Sequence, residues 1–206
     1  VYGDLWYKDV FRVYAEGIFA GTYGLDLPPL PIDTDQNDFL NLFVDLKLWE
    51  VNGNGVYGRV GRQELLLGSQ RLVSPLEWAN TRRTFEGARV MYTGEKYNFD
   101  AFWLQPVVPN ERGIDRVDAN INFAGAWGTY KPKKGTTFDL YYLFFDNKST
   151  VVQSGINRAP NTINTIGSRY AGDKDGGLLW DFEGALQFGQ QGTNNLFAGM
   201  GTAGVG

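Results

Sequence analysis

The residues of this 206-residue chain that could do chemistry are mainly arginines and carboxylates, placed at the two-residue spacing of a strand. Six arginines, Arg59, Arg62, Arg71, Arg82, Arg83 and Arg89, fall between Tyr57 and Arg89. A guanidinium is always charged and presents a planar fork of donors, so such a cluster suits the capture of carboxylates or phosphates rather than the making of bonds. Asp181 and Glu183, two apart on one face, have the residue types of an acid–base pair, but a carboxyl acid working near neutrality needs burial that the run WDFEGALQ does not indicate. Asp33, Asp35 and Asp38 offer the oxygen ligands calcium takes, yet their proline-rich surroundings read as a polar loop. The chain has no histidine and no cysteine. That removes the commonest general base, the thiolate nucleophile and the nitrogen and sulfur metal ligands. No enzymatic role, cofactor or bound metal is expected.

These side chains must be positioned by strands. Tyr57, Arg59 and Gly61 share one face opposite Val56, Gly58 and Val60, and beyond a connection Arg83, Phe85, Gly87 and Arg89 lie opposite Ala88 and Val90. Arg62 stands three residues from Arg59, so a bulge near Gly61 is needed to bring the two together. The same alternation sets Arg12 and Glu16 against Phe11, Val13 and Ala15. It sets Asp45 and Lys47 against Leu40, Leu42, Val44, Leu46 and Leu48, and Asp100 and Phe102 against Phe99 and Trp103. Further on, Asn120, Asn122, Ala124 and Ala126 oppose Ile121, Phe123, Gly125 and Trp127, while Asp139 and Tyr141 oppose Phe138, Leu140 and Tyr142. Arg169 falls in the run TINTIGSRYAG, and Asp181 and Glu183 oppose Trp180, Phe182, Leu186 and Phe188. About ten strands are expected, joined alternately by tight turns such as Asn52-Gly53 and by long polar loops.

Composition supports an all-β chain, with 27 glycines and 15% aromatic residues. The two glycine triplets with dinucleotide-binding spacing, Gly53-Asn-Gly55-Val-Tyr-Gly58 and Gly199-Met-Gly201-Thr-Ala-Gly204, do not open a helix after a strand and read as hairpin and small-residue strand. A net charge of −4 gives no general basic surface, so no nucleic-acid partner is expected. No run is apolar enough for a membrane-spanning helix, which leaves membrane strands open because they need only about 9 to 11 alternating residues. No signal peptide is visible. The chain starts at Val1 without methionine and stops at Gly206 within a strand-like pattern, so a processed or incomplete chain is expected.

Alternation suits a soluble sandwich, whose apolar faces meet in a core, as well as a membrane barrel, whose apolar faces meet lipid. Aromatics near strand ends (Trp49, Tyr92, Trp103, Trp127, Tyr130, Tyr142, Trp180 and Phe188), long strands, and a short-turn rim opposite a long-loop rim favour the barrel. So does an apolar face that mixes large side chains with Ala15, Gly17, Gly58, Ala88, Gly125 and Gly184.

The run GRVGRQELLLGSQRLVSPLEWANTRRTFEGARV resembles the signature of the alginate-export family of outer-membrane β-barrels, and IGSRY, DFEGALQFG and AGMGTAG resemble later strands of that family. The resemblance implies a barrel larger than about ten strands can close, a charged lumen, and passage of an anionic polysaccharide across the bacterial outer membrane. It makes Arg59, Arg62, Arg83 and Arg89 candidate substrate-facing cations.

The expectation is therefore a single domain over 1–206, an antiparallel meander forming part of a transmembrane β-barrel. It would act as a passive channel whose partners are the lipid bilayer and an anionic or sugar-like solute. The pore-lining set is Arg12, Glu16, Asp45, Lys47, Arg59, Arg62, Arg83, Arg89, Asp100, Asp139, Arg169, Asp181 and Glu183. Its arginines around Arg59 would form a basic wall facing acidic strands at Asp100, Asp139 and Asp181. The alternative is a structural or adaptor barrel that anchors partner proteins through its long loops, and a soluble β-domain is a third reading.

Overall fold

The structure is a computed structural model that describes residues 1–24, 26–28, 33–110, 113–153, 156–158, 160–173 and 177–206. Its strands are β1 (Tyr2–Tyr7), β2 (Phe11–Ala20), β3 (Asp35–Val51), β4 (Asn54–Glu64), β5 (Thr84–Thr93), β6 (Tyr97–Val108), β7 (Arg116–Val117), β8 (Ile121–Lys133), β9 (Thr136–Asn147), β10 (Val151–Gln153), β11 (Ile156–Arg158), β12 (Asn161–Asp173), β13 (Leu179–Gln191) and β14 (Asn194–Val205). One 12-stranded sheet runs β1-β2-β3-β4-β5-β6-β8-β9-β12-β13-β14, with β7 paired to β6, while β10 and β11 form a separate hairpin. Every pairing is antiparallel, so the fold is an all-β meander. Among the described residues the sheet is open: β1 and β14 are its edges and run in the same direction.

The count exceeds the expected ten because β1 was not anticipated and because β7, β10 and β11 are two or three residues long. β3 reaches 17 residues and β8, β12 and β13 reach 13, enough to cross a hydrocarbon layer even when tilted. Tight turns gather at one rim, where Asn52 (φ 51°) and Gly53 (φ 79°) adopt the left-handed pair that closes a two-residue hairpin. The long connections 21–34, 65–83, 109–120 and 148–160 gather at the other, together with the short final turn at 192–193. The first, third and fourth of these lie partly outside the described residues, as does most of the turn between β12 and β13.

One face carries a continuous exposed apolar surface. Leu42, Val44, Leu46, Leu48, Val60, Phe99, Trp103, Leu140, Tyr142, Ile166, Phe182, Leu186 and Phe197 all point to it. Tyr97 stacks on Tyr130 with ring centroids 5.1 Å apart, and Tyr170 sits 5.8 Å from Trp180, so aromatic pairs mark the short-turn rim.

Two expectations about faces fail. Leu40 is buried rather than outward, because the β2–β3 register slips between Glu16 and Gly17: Asn41 pairs with Glu16 and Phe39 with Gly17, leaving Leu40 unpaired and Phe39 exposed. In β8 the faces are reversed. Trp127, expected in a girdle, is only 5% exposed and stacks on Tyr141 at 4.1 Å, whereas Asn122 bonds to outward Trp103. Gly125, expected among the small outward residues, belongs to the inner row: a Cβ there would meet the Phe102 ring at 2.8 Å.

The apolar face is the part of the fold that a bilayer would test. Ile166→Arg, at a site 48% exposed near the middle of β12, is expected to weaken folding into lipid vesicles by about 2–4 kcal/mol, the cost of arginine on a lipid face near the bilayer centre. A denaturant titration in vesicles measures it; a change below about 0.5 kcal/mol would fit a water-exposed face instead.

Candidate functional site

On the opposite face the register brings unlike charges onto neighbouring strands. Arg12, Asp45, Arg59 and Arg89 occupy one row across β2, β3, β4 and β5. Arg59 donates to both Asp45 oxygens, Nε to Oδ1 at 2.6 Å and Nη2 to Oδ2 at 2.8 Å. Its guanidinium also lies 3.5 Å from the centre of the Phe43 ring. Arg12 forks onto Asp4 of the edge strand and reaches Asp45 at 3.5 Å. Arg89 grips Asp100 through Nε at 2.5 Å and Nη2 at 2.7 Å. Arg169 grips Asp181 through two bonds of 3.0 Å and lies 3.6 Å from Asp139, whose other oxygen accepts the Thr129 hydroxyl at 2.6 Å.

Near the two rims the pattern continues. Lys47 donates to Asp9 and Glu50 at the turn rim, while Glu16 accepts from Asn41 and Tyr14 toward the loop rim. Arg62 donates to Asp38 at 2.5 Å, to Glu86 at 2.8 Å and to the carbonyls of Phe39 and Asp115.

Arg62 does join Arg59 on this face, but without the expected bulge. The register through Gly61 is unbroken on both sides, and the change of direction comes from Gly61 itself, at φ +129°. A Cβ at Gly61 would run into the Leu42 carbonyl, so this conformation requires glycine. Arg83 stands apart from these ion pairs. It precedes β5, its amide donates to the Pro75 carbonyl at 2.7 Å, and its exposed side chain borders the same recess as Leu72, Val73, Phe85 and Phe123. The expected division between a basic wall and acidic strands fails too, because Arg59 is neutralised by Asp45 and Arg89 by Asp100, each within its own neighbourhood.

Sequence reasoning missed the feature that most shapes this face. The connection 65–83 folds over it. Leu65, Leu67 and Val73, with Leu72 packed against them, form one apolar cluster with Phe85, Phe102, Leu104, Trp127, Tyr141 and Leu143. This partner is why Phe123 and Trp127 turn inward. At the far end of the cluster Arg71 crosses to β13, donating to Glu183 at 2.6 Å and to Asp181 at 3.0 Å. Ser69 and Tyr141 donate to the same Glu183 at 2.8 Å and 3.0 Å. The hint in the sequence was the connection's composition: Leu65, Leu66, Leu67, Leu72 and Val73 are too apolar for a solvated loop.

Asp35 and Asp38, considered above with Asp33 for calcium, come together with Asp115, while Asp33 is not part of that group. Asp181 and Glu183 are held by Arg71 and Arg169 as ion pairs, and Glu183, for which the sequence indicated no burial, is only 5% exposed because the connection 65–83 covers it.

Long antiparallel strands with an apolar outer face, and a face of bidentate arginine–carboxylate pairs behind it, are those of part of a transmembrane β-barrel. The family model described as alginate export matches residues 1–202, and the chain belongs to that family. No curated protein matches the chain significantly.

Because Glu183 is buried, its loss of Arg71 leaves a charge with only two neutral donors. Arg71→Ala is expected to destabilise the folded protein by about 1–3 kcal/mol and to speed amide exchange across 65–83 selectively. Hydrogen exchange read by mass spectrometry checks both; unchanged protection of 65–83 would mean that the apolar cluster alone holds the connection.

Proposed function

We propose that the chain forms one side of a passive channel in the bacterial outer membrane, through which an anionic polysaccharide or a similar sugar-like solute passes. The polar face lines the lumen, with Arg12, Arg59, Arg62, Arg71, Arg89 and Arg169 as the cations, Asp45, Asp100, Asp139, Asp181 and Glu183 as carboxylates paired to them, and Glu16 beside them. Membership of an export family supports the substrate class. The edges support a larger barrel: β1 and β14 run in the same direction, so pairing them directly would need a parallel contact, whereas an odd number of added strands closes an all-antiparallel wall.

The observation that carries the reading is the bidentate pairing itself. Arg59 and Arg89 spend Nε and Nη2 on their carboxylates, and among the described residues Nη1 of each makes no hydrogen bond. A paired arginine keeps donors for a passing carboxylate or hydroxyl, while its acidic partner lowers the net attraction. That combination lets an anion enter and still leave.

The connection 65–83 favours a second reading, in which a covered lumen belongs to a structural or adaptor barrel. Planar-bilayer recordings of the full chain separate the two. The channel reading expects pores with a mild anion preference that are blocked by oligouronates, and expects Arg59→Ala with Arg89→Ala to shift that preference toward cations. Absence of pores overturns it and favours the adaptor, whereas strong cation selectivity in the unaltered protein overturns the anionic-solute reading alone.

A further inference from the structure

At the long-loop rim, Asp35 at the start of β3, Asp38 three residues on, and Asp115 just before β7 converge. Carboxylates three apart on a regular strand face opposite ways; Asn37, at φ 63°, breaks the alternation and turns both to one side. One carboxylate oxygen from each residue lies within 4.8 Å of those of the other two. The three residues are 4%, 5% and 7% exposed.

Their hydrogen bonds do not account for them. Asp38 Oδ2 accepts from Arg62 and from the Asp115 amide, and Asp115 Oδ1 accepts from the Asn110 amide. Asp35 Oδ1 and Asp38 Oδ1 are buried with no hydrogen-bond partner. A buried carboxylate oxygen without a donor is costly unless a proton or a cation reaches it. Among the described residues Arg62 is the one cation bonded to the group, and it is shared with Glu86. Among the described residues, three acids therefore face part of one guanidinium.

The donor chemistry selects among cations. An all-carboxylate oxygen set suits a hard ion, and calcium accepts irregular, flexible oxygen shells where magnesium demands a stiff octahedron and keeps most of its waters. We propose that Asp35, Asp38 and Asp115 hold one calcium ion, which ties the start of β3 to the connection between β6 and β7. The proposal does not depend on what the barrel transports.

The test uses the full chain folded in detergent and treated with a chelator. Calorimetric titration with calcium is expected to give one site per chain, and about 1 mM calcium is expected to raise the thermal midpoint by about 2–4 °C. Asp35→Asn and Asp115→Asn should each abolish the titration and the shift, while raising the midpoint in chelator because a buried charge is gone. Asp38→Asn is avoided because Asp38 also holds Arg62. Magnesium should shift the midpoint less than calcium. A wild-type midpoint identical in calcium and chelator would overturn the proposal and leave protonated carboxyls as the account of the cluster. Full calcium response in both variants would overturn it as well, since the binding would then lie elsewhere.

Discussion

Because side chains alternate along a strand, the pairing that sets Asp45 opposite Arg59 also turns Val44 and Val60 to the other surface. A slip of one residue would put an arginine and a carboxylate into the apolar face and lose their contact in the same step. Charge pairing and face assignment therefore reinforce one another across β2 to β5, and again where Arg169 of β12 meets Asp181 of β13. The pairs add little net stability, since desolvation offsets most of the Coulomb gain. Their larger effect is on register, because each wrong register leaves charges unpaired.

The second organising element is the connection 65–83, which makes an interior where an open wall would have none. Its leucines give the large inner aromatics something to bury against, and the Trp127–Tyr141 stack adds about 0.5–1.5 kcal/mol beyond the area it covers. Arg71 then fixes the far end to Glu183 by joining residues 112 positions apart. The polar face thus has two regions, a row of paired arginines from β1 to β6 and an apolar patch under the connection.

Much of this could be read in the sequence where the cause is local. The aliphatic run through Leu42, Val44, Leu46 and Leu48, the Asn52-Gly53 turn and the inward row of Arg12, Asp45, Arg59 and Arg89 all follow from alternation and turn chemistry. What could not be read depends on distant partners. Trp127 looks like an interfacial aromatic until residues 65–73 are packed on it, and Arg71 looks like a solvated loop cation until β13 is placed beside it. Asp115 joins Asp35 and Asp38 only through the fold. Leu40 was misplaced because a β2–β3 slip leaves no mark in a periodic sequence, and β1 was missed because six residues carry too short an alternation to stand out.

The central claim is that the apolar face meets lipid while the arginine–carboxylate face does not, and two tryptophans report on it directly. Trp103 is 61% exposed on the apolar face and Trp127 is 5% exposed on the polar one. Single-tryptophan variants retaining one or the other, folded into vesicles of bromine-labelled lipid, should show strong quenching of Trp103 and little of Trp127. Equal quenching of the two, or stronger quenching of Trp127, would contradict the account.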